Sequence, residues 1–138
     1  MRILIDTDVC LDFVLERQPF FIEANKIFQT IALNKVTAFV ASITIINIYY
    51  FGRKEKGRDF ALQEIQKLLK LIEICSVNLN TLQHAIFSPV TDYEDAVQCE
   101  SALSENLDAI VTRNTKDFEN SPIQIYSPNE FLQTLSNI

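Results

Sequence analysis

Short apolar runs recur along the chain, and each is followed by polar residues. The first of them, Ile3-Leu4-Ile5, stops directly at a carboxylate. Runs of this length are typical of strands in a parallel sheet, because such strands are covered on both faces. The pattern predicts five strands, over residues 2–6, 36–40, 74–77, 109–112 and 123–126.

Between the strands, apolar residues recur at helical spacing. The pattern predicts a helix directly after Asp6 and further helices over residues 20–33, 60–72, 78–88 and 91–103. Thr91 and Glu94 have the spacing of a capping box for the last of these. Ser127-Pro128-Asn129-Glu130 predicts the start of a terminal helix, since it offers an N-cap Ser, an N1 Pro and an N3 Glu.

The segment 42–56 can be interpreted in two ways. Its isoleucines, such as Ile43, Ile45 and Ile46, favour a strand because they are β-branched. Its length and Ser42, as a candidate N-cap, favour a buried helix. We predict a helix here.

The alternation of strands and helices predicts an α/β fold. We expect a three-layer sandwich in which helices flank a central, mostly parallel sheet of four to five strands. With 138 residues and no linker, repeat or low-complexity segment, the chain is expected to be one domain over residues 1–138.

Charge and composition exclude several classes of protein. There are 12 Lys and Arg residues against 18 Asp and Glu residues, giving a net charge of −6, so binding of nucleic acid by bulk positive charge is disfavoured. No stretch predicts a membrane span, and acids near the N-terminus argue against a signal peptide. The cysteines are odd in number (Cys10, Cys75 and Cys99), which disfavours a set of disulfides or a zinc site. We therefore expect them in the core of a protein from the reducing cytoplasm.

Acidic residues occur where ligands bind in sheets of this kind, outside the carboxyl ends of the strands. Asp6 and Asp8 follow the first strand, Asp117 follows the fourth, and Asp95 lies in a helix between them. If these residues converge, they form an oxygen-only cluster, which suits Mg²⁺ or Mn²⁺ better than Zn²⁺. The matching chemistry is metal-assisted phosphodiester hydrolysis, in which the ion polarises the phosphate and helps to generate hydroxide from water.

Each acid also has a purely structural interpretation. Asp6 or Asp8 would serve as an N-cap, Asp92 and Asp95 would interact with a helix dipole, and Asp117 would form an Asx turn. The only histidine, His84, has apolar neighbours and no evident catalytic partner, so a structural role is favoured. The acids taken together indicate a metal site more specifically than any one of them does alone.

Four segments resemble, in order, the motifs of the PIN domain (PilT N-terminus) family, and in particular small bacterial proteins related to VapC-type toxins. They are Ile3-Leu4-Ile5-Asp6-Thr7-Asp8-Val9, Ala41-Ser42-Ile43-Thr44-Ile45-Ile46-Asn47-Ile48-Tyr49-Tyr50, Asp92-Tyr93-Glu94-Asp95-Ala96 and Ile110-Val111-Thr112-Arg113-Asn114-x-x-Asp117-Phe118. The resemblance implies a Mg²⁺- or Mn²⁺-dependent endoribonuclease, expected in the cytoplasm. It also implies an RNA substrate, an antitoxin partner and a homodimer.

The resemblance also implies roles for individual residues. The catalytic and metal-binding residues would be Asp6, Asp95 and Asp117. The supporting residues would be Asp8, Asn47, Asp92, Thr112 and Asn114, with Thr7 or Thr112 positioning a carboxylate. The residues that contact RNA would be Arg113 and Lys116.

One position departs from the family pattern, because Asn47 stands where the second motif usually carries an acid. The amide removes one negative charge, so metal affinity is expected to be lower. The alternative function is therefore a weakened or inactive PIN module that acts in binding or scaffolding.

Asp6-Thr7-Asp8 also resembles the nucleophile motif of haloacid-dehalogenase-like phosphatases. However, no glycine lies beyond Gly57 to build that family's late acidic motif.

Overall fold

The computed structural model describes residues 1–136. A five-stranded parallel sheet runs through it in the order β3-β2-β1-β4-β5. The strands are β1 (Arg2–Ile5), β2 (Thr37–Ala41), β3 (Glu73–Cys75), β4 (Ala109–Val111) and β5 (Gln124–Tyr126). The predicted α/β sandwich with a parallel sheet is confirmed.

Within the described residues, seven α-helices connect and flank the strands. They are α1 (Thr7–Val14), α2 (Phe21–Ala32), α3 (Ser42–Lys56), α4 (Arg58–Leu68), α5 (Leu79–Ile86), α6 (Tyr93–Ser104) and α7 (Pro128–Ser136). A short 3-10 turn at Thr115–Phe118 follows β4. None of these helices is both long and apolar enough to cross a membrane.

The two faces of the sheet each have their own core, because alternate residues of a strand point to opposite faces. Ile3 and Ile5 of β1 pack with α1, α2 and the buried Phe131 of α7. Leu4 packs on the other face with α6 and the buried Phe118. All three cysteines are buried and free, as the composition indicated.

The chain order of the strands creates a switch point next to β1. From β1 the chain moves outward through β2 to β3, and then returns to place β4 on the other side of β1. Ile3, Leu4 and Ile5 pair with Ala109, Ile110 and Val111 in parallel register. The carboxyl ends of β1 and β4 therefore lie side by side, and helices diverge from this point to leave a crevice.

The ambiguous segment is a helix over the predicted residues, and it forms a close pair with α4. Gly57 joins the two helices with φ 91°, a conformation that favours glycine. Five residues earlier, a Cβ on Gly52 would approach Ala61 Cβ to 3.2 Å, so a side chain here would require a shift of a few tenths of an ångström between the helices.

Several element ends differ from the predictions. The Thr91 N-cap is wrong, because Asp92 caps α6 and its side chain accepts a hydrogen bond from Asp95 N. Ser42 is the first helical residue rather than the N-cap of α3. The helix predicted over 60–72 spans Arg58–Leu68 instead. The capping box at Ser127 and Glu130 is confirmed by reciprocal hydrogen bonds of 2.8 and 3.1 Å.

Candidate active site

Asp6 lies at the centre of the switch point, directly after β1. Its backbone occupies the N-cap position of α1, but its side chain makes no capping hydrogen bond. Instead Oδ1 accepts from Gln98 Nε2 at 3.0 Å and Oδ2 accepts from Thr112 Oγ1 at 2.7 Å. The interpretation of Asp6 as a helix cap therefore does not account for its carboxylate.

Burial makes the charge on Asp6 costly. The residue is 4% exposed, and desolvation raises the pKa of its carboxyl above the usual range, although the hydrogen bonds from Thr112 and Gln98 act in the opposite direction. Both oxygens of this carboxylate are held by neutral donors, and among residues 1–136 it has no cationic partner. Such a group is prepared to receive a cation.

Gln98 is a site residue that no sequence motif indicated. It lies on α6 one turn after Asp95, and only 1% of it is exposed. In the sequence it is a polar residue within the short run Ala96-Val97-Gln98-Cys99, whose other members are apolar. A buried amide needs partners; Asp6 accepts from Nε2 of Gln98, whereas Oε1 is buried with no hydrogen-bond partner among residues 1–136.

The two threonines considered as positioning residues behave differently. Thr112 donates to Asp6, and its Oγ1 in turn accepts from Asn114 N at 3.0 Å. Thr7 shares a 2.9 Å hydrogen bond with Thr44, so it ties α1 to α3 rather than orienting a carboxylate. Thr112 thus links the end of β4 to the carboxylate at the end of β1.

The next two acids are held by amides. Asn114 Nδ2 donates to Asp8 Oδ2 at 2.8 Å, and Asn47 Nδ2 donates to Glu94 Oε1 at 2.7 Å. The second hydrogen bond places a carboxylate beside the position where the second motif lacks one. Neither pair is predictable from local sequence, because the partners are far apart along the chain.

Asp95 faces the greatest concentration of negative charge. Desolvation comes first among the causes that raise the pKa of its carboxyl to about 7, followed by the charges of Asp6, Asp92, Asp117 and Glu94. Asp117 reaches the same region from the 3-10 turn after β4. The predicted acids of motifs one, three and four therefore share one site.

These residues line a cavity of about 570 Å³. Six acids, two asparagines, one threonine and two aromatic residues form its wall: Asp6, Asp8, Asp92, Glu94, Asp95, Asp117, Asn47, Asn114, Thr7, Tyr50 and Phe51. In the part of the chain that the structure describes, no lysine or arginine lines this cavity. The site is an oxygen-rich, strongly negative concavity.

Arg113 and Lys116, the predicted RNA contacts, lie outside this wall. Arg113 donates through Nε and a terminal nitrogen to Asp12 at 2.6 and 3.2 Å. Its guanidinium also lies 3.9 Å from the centre of the Phe20 ring. Asp12, which no sequence motif singled out, therefore fixes the start of the loop that carries Asn114 and Asp117.

The donor chemistry fits a hard divalent cation. The candidate ligands are carboxylate and amide oxygens, which Mg²⁺ and Mn²⁺ prefer. Over residues 1–136, no group of three or more acids, histidines or cysteines lies close enough together to hold a metal ion. Mg²⁺ commonly uses one or two protein carboxylates and keeps several waters, so it does not require such a group.

Desolvation of Asp95, together with the repulsion from neighbouring acids, yields a stability prediction for Asp95→Asn. The folded pKa of about 7 exceeds the reference value of 3.8, so metal-free stability falls as pH rises from about 4 to 7. Asn removes that loss. After allowance for solvent screening of this half-buried group, we expect a gain of about 1 kcal/mol at pH 8 in chelator, which vanishes near pH 4. Urea unfolding at both pH values measures it, and a less stable variant at pH 8 would contradict it.

Comparison with known proteins places the fold in a family. The family model of the PIN domain matches residues 2–116. The chain belongs to the PIN domain family. The match includes three of the four predicted motifs in full and ends one residue before Asp117. The sequence matches no curated protein.

Solved structures with the same PIN fold include proteins from toxin–antitoxin systems. VapBC2 from Rickettsia felis, bound to a promoter DNA fragment, is 18% identical with a TM-score of 0.68, covering 92% of this chain and 98% of that one. A toxin–antitoxin complex from Klebsiella pneumoniae is 22% identical with a TM-score of 0.68, covering 91% and 96%. The sarcin–ricin loop cleaving toxin VapC20 of Mycobacterium tuberculosis is 10% identical with a TM-score of 0.64, covering 78% and 86%.

Proposed function

We propose that this PIN domain is a Mg²⁺- or Mn²⁺-dependent endoribonuclease and acts as the toxin of a toxin–antitoxin pair. The observation that carries the proposal is the cavity at the switch point, with six acids and no cationic side chain in its described wall. Such a cavity repels a phosphate unless a cation enters with it. The toxins among the structural neighbours support the same class of activity.

Asp6, Asp95 and Asp117 are the proposed catalytic and metal-binding residues. A bound Mg²⁺ or Mn²⁺ would supply positive charge that stabilises the transition state of phosphodiester hydrolysis and makes water more acidic. The chain's own contribution is positioning. Thr112 and Gln98 each donate to one oxygen of Asp6, which leaves further lone pairs free on a carboxylate that cannot rotate.

The supporting residues hold the remaining acids in place. Asp92 caps α6 and so fixes the first turn on which Asp95 lies. Asn114 holds Asp8, and Asn47 holds Glu94. Arg113 and Lys116 remain proposed RNA contacts outside the cavity. The proposed partners are an RNA substrate, an antitoxin protein and a second copy of the chain, and the proposed compartment is the cytoplasm.

Cleavage of a mixed pool of structured RNA tests the proposal. The purified chain is incubated in Mg²⁺, in Mn²⁺ and in EDTA, beside an Asp117→Asn protein prepared identically. Asp117 is exposed and its carboxylate makes no hydrogen bond within residues 1–136, so this variant is expected to fold normally. We expect metal-dependent cutting that falls about 100-fold in the variant. Equal cutting by both proteins would indicate a contaminating nuclease and overturn the assignment.

Asn47 favours a second candidate function, a PIN module that binds without cutting. The prediction that separates the two concerns Asn47→Glu. If the missing charge limits metal binding, the variant binds Mn²⁺ about 10-fold more tightly and cuts RNA faster, because Mg²⁺-type sites depend on carboxylate charge. Titration calorimetry with Mn²⁺ measures the affinity, and Asn47→Gln serves as the neutral control. An unchanged affinity in the Glu variant would sink the idea that Asn47 weakens the site.

A further inference from the structure

Helix α3 carries a stripe of side chains that leads out of the acidic cavity. Asn47 and Tyr50 line the cavity, and Arg53 and Lys54 follow Tyr50 at i+3 and i+4, so they share its helix face. Tyr50, Arg53 and Lys54 also line a second concavity of about 350 Å³. We call these three residues the Tyr50 surface. Tyr50 borders both concavities, so the two are neighbours on the surface.

Tyr50 is not part of the core. Its side of α3 lies apart from the buried residues of that helix, which are Thr44, Ile48 and Gly52. Tyr50 is 60% exposed, and its ring meets the ring of Phe51 edge to face with 5.3 Å between centroids. An aromatic ring supported on one edge and open to solvent is a platform on which another flat ring can stack.

Arg53 and Lys54 supply positive charge next to a negative cavity. Within residues 1–136 neither of them makes an ion pair, whereas Arg17 pairs with Glu55, and Arg58 pairs with Asp59. Lys56 lies over the Phe60 ring at 5.0 Å. Arg53 and Lys54 are thus the cations of the segment 53–58 that have no such partner among the described residues.

We infer that the Tyr50 surface binds the single-stranded RNA that flanks the phosphate to be cut. One base stacks on Tyr50, and backbone phosphates contact Arg53 and Lys54. The inference rests on the proposed function, since it explains how an acidic chain holds a polyanion at an acidic site. Stacking of this kind needs an unpaired base, because bases inside a duplex already stack on each other.

Fluorescence anisotropy with a labelled 12-nucleotide single-stranded RNA tests the inference. The chain is compared with Tyr50→Leu, Tyr50→Phe and Arg53→Ala/Lys54→Ala, in Mg²⁺, with a gel to verify intact RNA. We expect Tyr50→Leu to weaken binding about 10-fold, as removal of one stacking partner does, and Tyr50→Phe to bind like the parent. The double variant weakens binding and lowers the slope of log K against log salt by about 1.4, or about 0.7 for each phosphate that is no longer neutralised.

The matched control is Lys26→Ala/Lys35→Ala, which removes the same charge from exposed residues that border a different concavity. We expect it to bind RNA like the parent and to keep the parent's salt slope. An equal loss of affinity in this control, or no loss in the Tyr50 and Arg53/Lys54 variants, overturns the inference. So does a Tyr50→Leu effect on sedimentation without an effect on RNA affinity, which would assign the surface to protein contacts.

The outcome is separable from that of the proposed function. Binding is read without cleavage, so a chain that binds through the Tyr50 surface but cuts nothing supports the inference and contradicts the nuclease. A chain that hydrolyses bis(p-nitrophenyl) phosphate in Mn²⁺ equally well in all variants, yet binds RNA equally well in all of them, supports the nuclease and overturns the inference.

Discussion

Asp6→Asn is expected to lower RNA cleavage by at least about 1,000-fold, the largest effect of any substitution proposed for this chain. Asp6 is the buried carboxylate of the site, and Gln98 and Thr112 hold both of its oxygens. Asn removes the charge without changing the shape. Loss of Mn²⁺ binding, measured by calorimetry, is expected to accompany loss of cleavage.

The fold should tolerate this change. Burial already raises the pKa of the Asp6 carboxyl, so a neutral side chain is the less costly occupant of the position in the absence of metal. We therefore expect the melting temperature in EDTA to be unchanged or higher. This behaviour separates loss of function from loss of structure.

Asp108→Asn is the matched control. Asp108 lies at the amino ends of β1 and β4, opposite the carboxyl ends that form the site. Its carboxylate accepts a 2.7 Å hydrogen bond from Arg2 N. The chemical change is identical, but the residue is far from the cavity wall, so cleavage should persist. Equal activity in the Asp6 variant and the parent would remove Asp6 from the catalytic set.

The sequence predicted the fold well because the deciding signals are local. Three-residue apolar runs identify β1 and β4, and their carboxyl ends locate the site before any tertiary contact is known. The capping box at Ser127 likewise lies within four residues. Even the error at α6 is local, since Thr91 and Asp92 are both good N-cap residues and only the structure decides between them.

The missed features are pairings over long distances in sequence. Gln98 and Asp6 are 92 residues apart, Arg113 and Asp12 are 101 apart, and Asn47 and Glu94 are 47 apart. The hydrophobic periodicity of the sequence does not predict which polar residue of one element forms a hydrogen bond with which polar residue of another. A motif therefore names the acids, while the donors that orient them become visible only in the folded chain.

Asp12→Ala is expected to lower the free energy of unfolding by about 3 kcal/mol. Asp12 is 1% exposed and accepts two hydrogen bonds from Arg113, which also stacks on Phe20. Desolvation raises the pKa of the Asp12 carboxyl in spite of this partner, so the pair itself contributes little net stability. The loss of stability comes from leaving Arg113 half-buried without its carboxylate.

A double-mutant cycle checks this explanation. Arg113→Ala should also lower the free energy of unfolding, because it leaves the buried carboxylate of Asp12 without its partner. The double variant should lose about 2 kcal/mol less of this free energy than the sum of the two single changes. Urea unfolding gives all four values. Glu55→Ala, which breaks the exposed pair with Arg17 at 3.7 Å, should cost no more than about 0.5 kcal/mol. Additive losses at Asp12 and Arg113 would contradict the explanation, and would mean that the loop carrying Asn114 and Asp117 is held by other contacts.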